Sequence, residues 1–311
     1  MFIGIIGTAC SGKKAVEKYL LERDFTPLRL QRSDSSGKYF ADASSMLDYA
    51  THNWRENHVT TCLDRSEILE PFIKRPFFLL LSVDAPIFLR WKRAVVRCEA
   101  QNVLPPSLET YVQADDELNP RKLHPFTNSD SPHLHIFNDF TTFPDLHAYL
   151  DNLDLFNEKR LRPDWDTYFM TLASLTSRRS NCMKRRVGAI LVRNSRIVAT
   201  GYNGTPRNMK NCNAGGCARC NGSARSGQAL NECLCLHAEE NALLEAGRER
   251  VGDGAILYCN TCPCLRCSVK IVQTGVKEVV YSQAYSMDDA SATVLREGGV
   301  SLRQHCSPPF E

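Results

Sequence analysis

Four residues in the second half of the chain have the types and the spacing of a metal-dependent hydrolytic site. His237 begins the segment HAEENALLEAG, and Cys264 and Cys267 form a Cys-x-x-Cys pair directly after a proline. One imidazole and two thiolates suit zinc, and three protein ligands leave the fourth tetrahedral position for water, as in catalytic sites. Glu239, two residues beyond His237, lies near the metal without being needed as a ligand, so its carboxylate can move protons.

The elements around these residues are predicted to place all the ligands at helix starts. The patterns predict helices over residues 237–246 and 264–274, with a strand over 255–259 between them. Helix N-termini favour the thiolate forms that bind a metal ion, and one helical turn separates Cys264 from Cys267. A structural zinc knuckle with an incidental glutamate is the alternative. Spacing, order and helix placement all favour the catalytic interpretation.

A family resemblance follows from this pattern and from three longer segments. His-Ala-Glu followed by Pro-Cys-x-x-Cys resembles the zinc nucleobase deaminases. RPDWDTYFM (162–170), RVGAILVRNSRIVATGYNGTPR (186–207) and VVYSQAYSMDDA (279–290) resemble deoxycytidylate deaminases, most of all the fungal form with an extra N-terminal domain. The resemblance covers about residues 160–305. It implies a cytidine-deaminase-like three-layer α/β/α sandwich and hydrolysis of dCMP to dUMP and ammonia, which supplies the precursor of thymidylate.

The same resemblance implies substrate contacts and effectors. Asn203, in Gly-Tyr-Asn-Gly, falls where the family contacts the substrate sugar, and Tyr285 matches a family tyrosine near the substrate. The family is typically a hexamer that is activated by dCTP with Mg²⁺ on its phosphates and inhibited by dTTP. The effector binds beside the Gly-Tyr-Asn-Gly segment. The basic run 184–186 either meets that triphosphate or is a solvated run of charges.

A second metal site is expected in the long Cys- and Gly-rich loop before His237. Some family members carry a second, structural zinc, with ligands from this loop and from a position that matches Cys182. We therefore expect an all-cysteine site from Cys182, Cys212, Cys220 and Cys235, with Cys217 or Cys233 as substitutes. A metal would order a loop that has little to bury. Spare or reactive thiols are the alternative.

The first half of the chain begins as a phosphate-binding loop begins. The stretch GTACSGKK (7–14) follows a predicted strand over 2–6 and precedes a predicted helix over 13–23. The apolar run 76–83 is typical of a strand buried on both faces of a parallel sheet. With VDAP and a basic helix after it, this half resembles nucleoside-monophosphate and dephospho-coenzyme-A kinases. The resemblance implies a P-loop-like parallel α/β domain.

One residue argues against kinase activity in this domain. A working P-loop ends in Gly-Lys-Ser/Thr because that hydroxyl ligates magnesium, and here Lys14 occupies the position. Gly7, Gly12 and Lys13 could still cradle a phosphate. The sequence therefore predicts a degenerate kinase-like domain that packs on the rest of the chain or mediates assembly.

The length, net charge and cysteine distribution of the chain lead to the remaining expectations. The 311 residues suffice for two domains, which we predict at 1–156 and 162–306. A net charge of +3 gives no field that favours nucleic acid or a lipid surface, and no apolar run could span a bilayer. Ten of the fourteen cysteines lie between Cys182 and Cys267. This crowding indicates metal binding in a reducing compartment, the cytoplasm with the nucleus as a second location.

Two other classes of function stay open at this stage. A different zinc deaminase could act on a free nucleoside, a tRNA or a riboflavin precursor. The N-terminal domain, however, lacks the basic and aromatic interleaving of an RNA binder. A non-enzymatic zinc protein that senses nucleotides is the other class. Glu239 argues against it, because a structural site has no use for that carboxylate.

Overall fold

A computed structural model describes residues 1–30, 37–122, 132–225, 228–229, 232–284 and 289–305 of the chain. These residues form two compact units, Met1–Arg162 and the described part of the chain from Pro163 onward. None of the helices in these ranges combines the length and the apolar character that a bilayer crossing requires.

In the described part of the first unit, strands and helices alternate along the chain. Their order is β1 (Phe2–Gly7), α1 (Lys13–Leu21), β2 (Thr26–Arg29), β3 (Lys38–Tyr39), α2 (Ala43–His52), β4 (His58–Thr60), α3 (Ser66–Ile73), β5 (Phe78–Asp84), α4 (Ile87–Ala100), α5 (Leu108–Lys122), β6 (His133–Phe137) and α6 (Phe143–Asn152). The strands form one parallel sheet with the order β3-β2-β4-β1-β5-β6. The predicted parallel α/β domain is confirmed.

Helices cover both faces of this sheet. On one face, Ile3, Ile5 and Leu81 pack with α1 and α6. On the other, Phe2 and Leu80 pack with α2 and α3. Since β1 and β5 are central and are buried on both faces, their sequences are continuously apolar rather than alternating.

The described part of the second unit begins with a helix and a hairpin. The order is α7 (Trp165–Ser177), β7 (Gly188–Arg193), β8 (Arg196–Tyr202), a 3-10 turn (Cys212–Ala214), α8 (Ala218–Asn221), α9 (Ala238–Val251), β9 (Ile256–Thr261), α10 (Leu265–Thr274), β10 (Glu278–Gln283), α11 (Asp289–Glu297) and β11 (Ser301–Gln304). The sheet order is β11-β10-β9-β7-β8. β9, β10 and β11 are parallel, and β7 is antiparallel to both of its neighbours.

The second unit is a three-layer α/β/α sandwich, as the resemblance implied. Helix α7 covers one face of the sheet, where Phe169 and Met170 pack on Ile190 and Tyr258. Helices α9, α10 and α11 cover the other face, around the buried strand residues Ala189, Leu191, Leu257 and Val279. The metal-ligand candidates belong to this second layer of helices, so the packing of α9 and α10 on the sheet sets their positions.

Two glycines allow the helices to touch the sheet backbone. A Cβ atom added to Gly201 on β8 would lie 2.1 Å from the carbonyl oxygen of Ala238 on α9. A Cβ atom added to Gly188 on β7 would lie 2.1 Å from the carbonyl oxygen of Ala173 on α7. Both distances are far below van der Waals contact, so glycine is required at each position for the observed helix placement.

Candidate active site

The three catalytic metal-ligand candidates come together at one edge of the sheet. His237 is the N-cap residue of α9, Cys264 is the N-cap residue of α10, and Cys267 lies in the first turn of α10. The strand register pairs Ala189 with Cys259, so the end of β9 lies at the same edge as the start of β7. The site is thus formed where β9 leads into α10 and where a loop leads into α9.

The distances fit a single metal ion. The Nδ1 atom of His237 lies 3.4 Å from Cys264 Sγ and 3.3 Å from Cys267 Sγ. All three ligand atoms lie within 4.8 Å of one another. A tetrahedral zinc ion with ordinary bond lengths holds nitrogen and sulfur about 3.6 Å apart. The residues present therefore fit zinc and leave one coordination position for water.

Hydrogen bonds among these three groups shift their pKa values in different directions. A hydrogen bond from Cys267 lowers the pKa of the Cys264 thiol to about 3, and His237 acts in the same direction. The hydrogen bond with Cys264 also raises the pKa of His237 and that of Cys267. Zinc binding requires both thiols to be deprotonated and the imidazole to be neutral, so protons leave the site when the metal enters.

Glu239 is a buried carboxyl group close in sequence to the ligand candidate His237. It lies in the first turn of α9, two residues from His237, and is only 3% exposed. Burial raises the pKa of Glu239 to about 7, although the nearby His237 acts in the opposite direction. A carboxyl group that titrates near neutral pH can both accept and donate a proton under working conditions.

Four positioning residues that the sequence interpretation did not single out hold the two ligand helices. Lys270 of α10 forms an ion pair with Glu240 of α9. The Asn241 side chain donates to the Tyr202 carbonyl oxygen at 3.0 Å, which fixes α9 to the end of β8. Ser268 donates to the Cys264 carbonyl oxygen at 3.1 Å. Asn241 lies inside the HAEENA segment, so its position beside the ligands was available from the sequence.

Of the two predicted substrate-contact residues, only one lies in a described range. Asn203 is buried at the same edge: Gly204, its neighbour, pairs with Leu236, which precedes His237. The Asn203 amide donates to the Arg185 carbonyl oxygen and accepts from the Val187 N–H, both at 2.8 Å. These two hydrogen bonds use one amide N–H and one lone pair of the Asn203 side chain. Tyr285 lies outside the described residues.

The candidate second metal site is a compact group of thiols. The sulfur atoms of the predicted ligands all lie within 4.8 Å of one another: Cys182, Cys212, Cys220 and Cys235. A second group with the same spacing contains both predicted substitutes: Cys217, Cys220, Cys233 and Cys235. The structure thus brings together every cysteine that the sequence proposed for this site.

The P-loop-like segment of the first unit has a strand–loop–helix geometry. Gly12 caps α1 with a φ of +106°, a conformation that favours glycine. Lys13 Nζ donates to the carbonyl oxygens of Gly7, at 2.6 Å, and Thr8, at 3.2 Å. Lys14 Nζ lies 3.2 Å from Glu17, one turn further along α1, so its charge is paired there.

Side chains from other elements hold the carbonyl oxygens of this loop. Asn138 and Arg93 both donate to the Ser11 carbonyl oxygen, at 2.7 and 3.1 Å, and Tyr111 donates to that of Ala9 at 3.0 Å. These hydrogen bonds from other elements therefore hold the loop in place within the first unit. These partners were not predictable from the sequence, because they come from distant elements.

Comparison with known proteins agrees with the fold and the site. Residues 163–283 match the family model of the cytidine and deoxycytidylate deaminase zinc-binding region. This sandwich, with its His-Cys-Cys group, therefore defines the class of the second unit as a zinc-binding deaminase. The chain is 47% identical to the deoxycytidylate deaminase of Schizosaccharomyces pombe, with 98% of each chain covered. It is 45% identical to that of Saccharomyces cerevisiae, with 98% of this chain and 96% of the relative covered. The chain belongs to the deoxycytidylate deaminase family.

One solved structure is similar to part of the chain. The dCMP deaminase from the cyanophage S-TIM5, in complex with dCMP and dUMP, is 37% identical and covers 46% of this chain and 98% of its own, with a TM-score of 0.39. The two yeast proteins are similar over nearly the whole chain. The resemblance to fungal deoxycytidylate deaminases is thus confirmed.

Proposed function

We propose that this chain catalyses the hydrolytic deamination of dCMP to dUMP and ammonia, which supplies dUMP for thymidylate synthesis. One observation carries the proposal: the buried carboxylate of Glu239 adjoins a His237–Cys264–Cys267 group that fits zinc. Burial of an unpaired carboxylate costs free energy. A metal site that only stabilises the fold has no use for such a carboxylate, so its presence favours a catalytic site. Similarity to deoxycytidylate deaminases over nearly the whole chain supports dCMP as the substrate.

The chain's own residues supply the proton transfers. His237, Cys264 and Cys267 would hold a zinc ion, which would act as a Lewis acid and bring the pKa of a bound water near 7. Glu239 accepts one proton from the attacking water and donates it to the pyrimidine ring nitrogen. It then accepts the second proton of that water from the new C4 hydroxyl and delivers it to the amino group, which leaves as ammonia when the C4–N bond breaks. The new oxygen stays on C4, so the reaction is a hydrolysis without redox change.

Asn203 and Tyr285 are the proposed substrate contacts. The amide of Asn203 is oriented by the backbone at residues 185 and 187, and its free N–H suits a sugar hydroxyl. A preoriented amide loses little entropy on binding, so it can contribute to recognition at low cost. We assign Tyr285 to the substrate site on the family resemblance alone.

Regulation, assembly and the second metal are parts of the same proposal. By family resemblance, we expect activation by dCTP with Mg²⁺, inhibition by dTTP and a hexameric assembly. A structural zinc on Cys182, Cys212, Cys220 and Cys235 would order the loop before His237. The first unit is proposed as a degenerate kinase-like domain, residues 1–156, joined to a deaminase domain, residues 162–306. Free thiols in both units fit a cytoplasmic location.

The test is ammonia release from dCMP by the purified zinc-loaded chain, with deoxycytidine and CMP as competing substrates. Glu239→Gln is expected to keep its zinc and lose turnover about 10²–10⁴-fold, the range of a general acid–base group. Glu245→Gln, an exposed position on the same helix, is the matched control and is expected to keep full activity. Full turnover by Glu239→Gln would contradict the proton-transfer role. Turnover of another substrate but not of dCMP would identify a different deaminase, and zinc binding without any turnover would identify a non-enzymatic protein.

A further inference from the structure

A cluster of packed side chains in the second unit consists entirely of cysteine. Its members, named here the six-cysteine cluster, are the buried Cys212, Cys217, Cys220 and Cys235 with the partly buried Cys182 and Cys233. Among the described residues of the surrounding loop, regular structure is limited to the turn at Cys212–Ala214 and to α8. Such a segment buries too little apolar surface to offset the entropy of ordering it. Another source of stability must act at the cluster.

The six sulfurs form two groups of four that have two sulfurs in common. Each of the two four-sulfur groups described above fits within 4.8 Å, and Cys220 and Cys235 belong to both groups. Two four-coordinate ions need eight ligand positions. Six thiolates fill eight positions when two of them bridge, a composition that proteins with two zinc ions and six cysteines use.

We propose that the six-cysteine cluster binds two zinc ions that share the thiolates of Cys220 and Cys235. Cys182 and Cys212 complete the ligands of one ion, and Cys217 and Cys233 complete those of the other. The inference rests on the proposed second metal site and extends it from one ion to two. It does not depend on which nucleotide the chain deaminates.

The sulfur–sulfur distances agree with this arrangement. Four sulfurs at about 2.3 Å from a tetrahedral zinc ion lie about 3.8 Å apart. Cys220 Sγ lies 3.8 Å from Cys182, 3.6 Å from Cys233 and 3.9 Å from Cys235. Van der Waals contact accounts for any one of these distances. Van der Waals contact does not explain why two complete groups of four sulfurs share two members.

Charge does not oppose the second ion. One zinc with four thiolates carries a net charge of −2, and two zinc ions with six thiolates carry the same charge, by count of formal charges. The second ion adds two positive charges and displaces one proton each from Cys217 and Cys233. N–H donors already face the sulfurs: Arg219 Nη1 lies 4.0 Å from Cys220 Sγ, and Asn221 Nδ2 lies 3.8 Å from Cys212 Sγ.

The first experiment counts metal in the full chain, purified with zinc under reducing conditions. Native mass spectrometry and elemental analysis are expected to give three zinc ions per chain, one of them catalytic. A single structural zinc gives two. A count of two, or iron in place of zinc at the cluster, overturns the inference. Deamination of dCMP is measured on the same sample, so failure of the proposed activity and failure of this inference give separate results.

The second experiment tests the bridging thiolates directly. The chain is loaded with ¹¹³Cd in place of zinc, and its ¹¹³Cd NMR spectrum is recorded. Two ions that share sulfur ligands are expected to give two resonances that split each other, beside an unsplit resonance from the His-Cys-Cys site. Cluster resonances without mutual splitting overturn the sharing of Cys220 and Cys235. This measurement uses the unmodified chain, so it does not depend on whether a variant folds.

A pair of variants separates the two arrangements further. Cys217→Ser removes a ligand that only the second ion uses, so the zinc count is expected to fall from three to two. If one ion binds at the predicted four-cysteine site, Cys217→Ser leaves the count unchanged, which refutes the two-ion arrangement. Cys98→Ser, on α4 of the first unit, is the control and is expected to keep three zinc ions.

Discussion

Substitution of Gly201 by alanine should separate stability from catalysis. The added Cβ atom would lie 2.1 Å from the Ala238 carbonyl oxygen and 2.5 Å from the Ala242 nitrogen, whereas ordinary contact begins at 3.4 Å. Both neighbours are helix backbone, so α9 must move away by about 1 Å, and overpacking of this kind costs about 1–3 kcal/mol of unfolding free energy. His237 and Glu239 lie on the first turn of that helix. A 1 Å displacement of catalytic groups reduces kcat/KM about 100-fold.

Gly188→Ala is the matched control for this prediction. Its Cβ atom would lie 2.1 Å from the Ala173 carbonyl oxygen and 2.4 Å from the Ser177 nitrogen, so the clash has the same severity. The displaced helix is α7, which lies on the opposite face of the sheet and carries no catalytic ligand. The two variants are therefore expected to lose similar unfolding free energy, about 1–3 kcal/mol. Only Gly201→Ala is expected to lose most of its activity.

The assay measures both properties on zinc-loaded protein. Denaturant unfolding gives the loss of stability, and ammonia release from dCMP gives kcat/KM for each variant and for the unmodified chain. The reasoning is refuted if Gly201→Ala is destabilised as much as Gly188→Ala but deaminates dCMP at the unmodified rate. It is also refuted if both variants lose activity equally, because the position of α9 would then have no special role.

Three further predictions concern the metal and the first unit. Cys264→Ser should lose catalytic zinc and deamination together, as measured by metal content and ammonia release; activity without zinc would contradict the ligand role. Asp115→Ala removes the bidentate partner of the buried Arg90, which keeps only the 3.7 Å ion pair with Asp84, so it should cost up to about 3–5 kcal/mol in unfolding measurements. Removal of the exposed Glu70, paired with Lys74, should cost less than about 1 kcal/mol. Equal losses at the two positions would refute this contrast. Lys13→Ala should leave dCMP deamination unchanged, and phosphoryl transfer from ATP to dCMP by the unmodified chain would show that the P-loop-like segment is functional.

Elements with a strong local pattern were predictable from the sequence. The strands predicted over residues 2–6 and 255–259 and the helix predicted to start at residue 13 agree with the structure to within two residues. Asn194 and Ser195 join β7 to β8, and both residues have positive φ values, as a type I′ turn requires. In each case the signal lies within a few neighbouring residues, so one sequence is sufficient.

Elements without such a pattern were missed. β4 spans three residues, too few to show alternation, and β2 contains Pro27. α3 contains Pro71, which argues against a helix when only local preference is considered. These segments are held by tertiary packing: Val59 of β4 and Phe72 of α3 are buried in the two cores of the first unit. The secondary-structure preference of a short segment contains no information about such tertiary contacts.

The candidate sites also have a part that was predictable from the sequence and a part that was not. The ligand types and their spacing are local, so His237, Cys264 and Cys267 were identifiable before their distances were known. The sharing of Cys220 and Cys235 between two groups of sulfurs depends on how the loop folds in three dimensions. The fixed amide of Asn203 likewise depends on backbone groups that are 16 and 18 residues away.

The order of the ligands along the chain determines how the catalytic site forms during synthesis. His237 and Cys267 are separated by only 30 residues, which contain α9, β9 and the start of α10. The closure entropy of so short a loop is small, and its contacts are local, so the metal group can form quickly. Strands β10 and β11 emerge from the ribosome afterwards and add to a sheet edge next to β9. Zinc captured by the nascent chain would thus fix α9 against α10 before the sheet is complete.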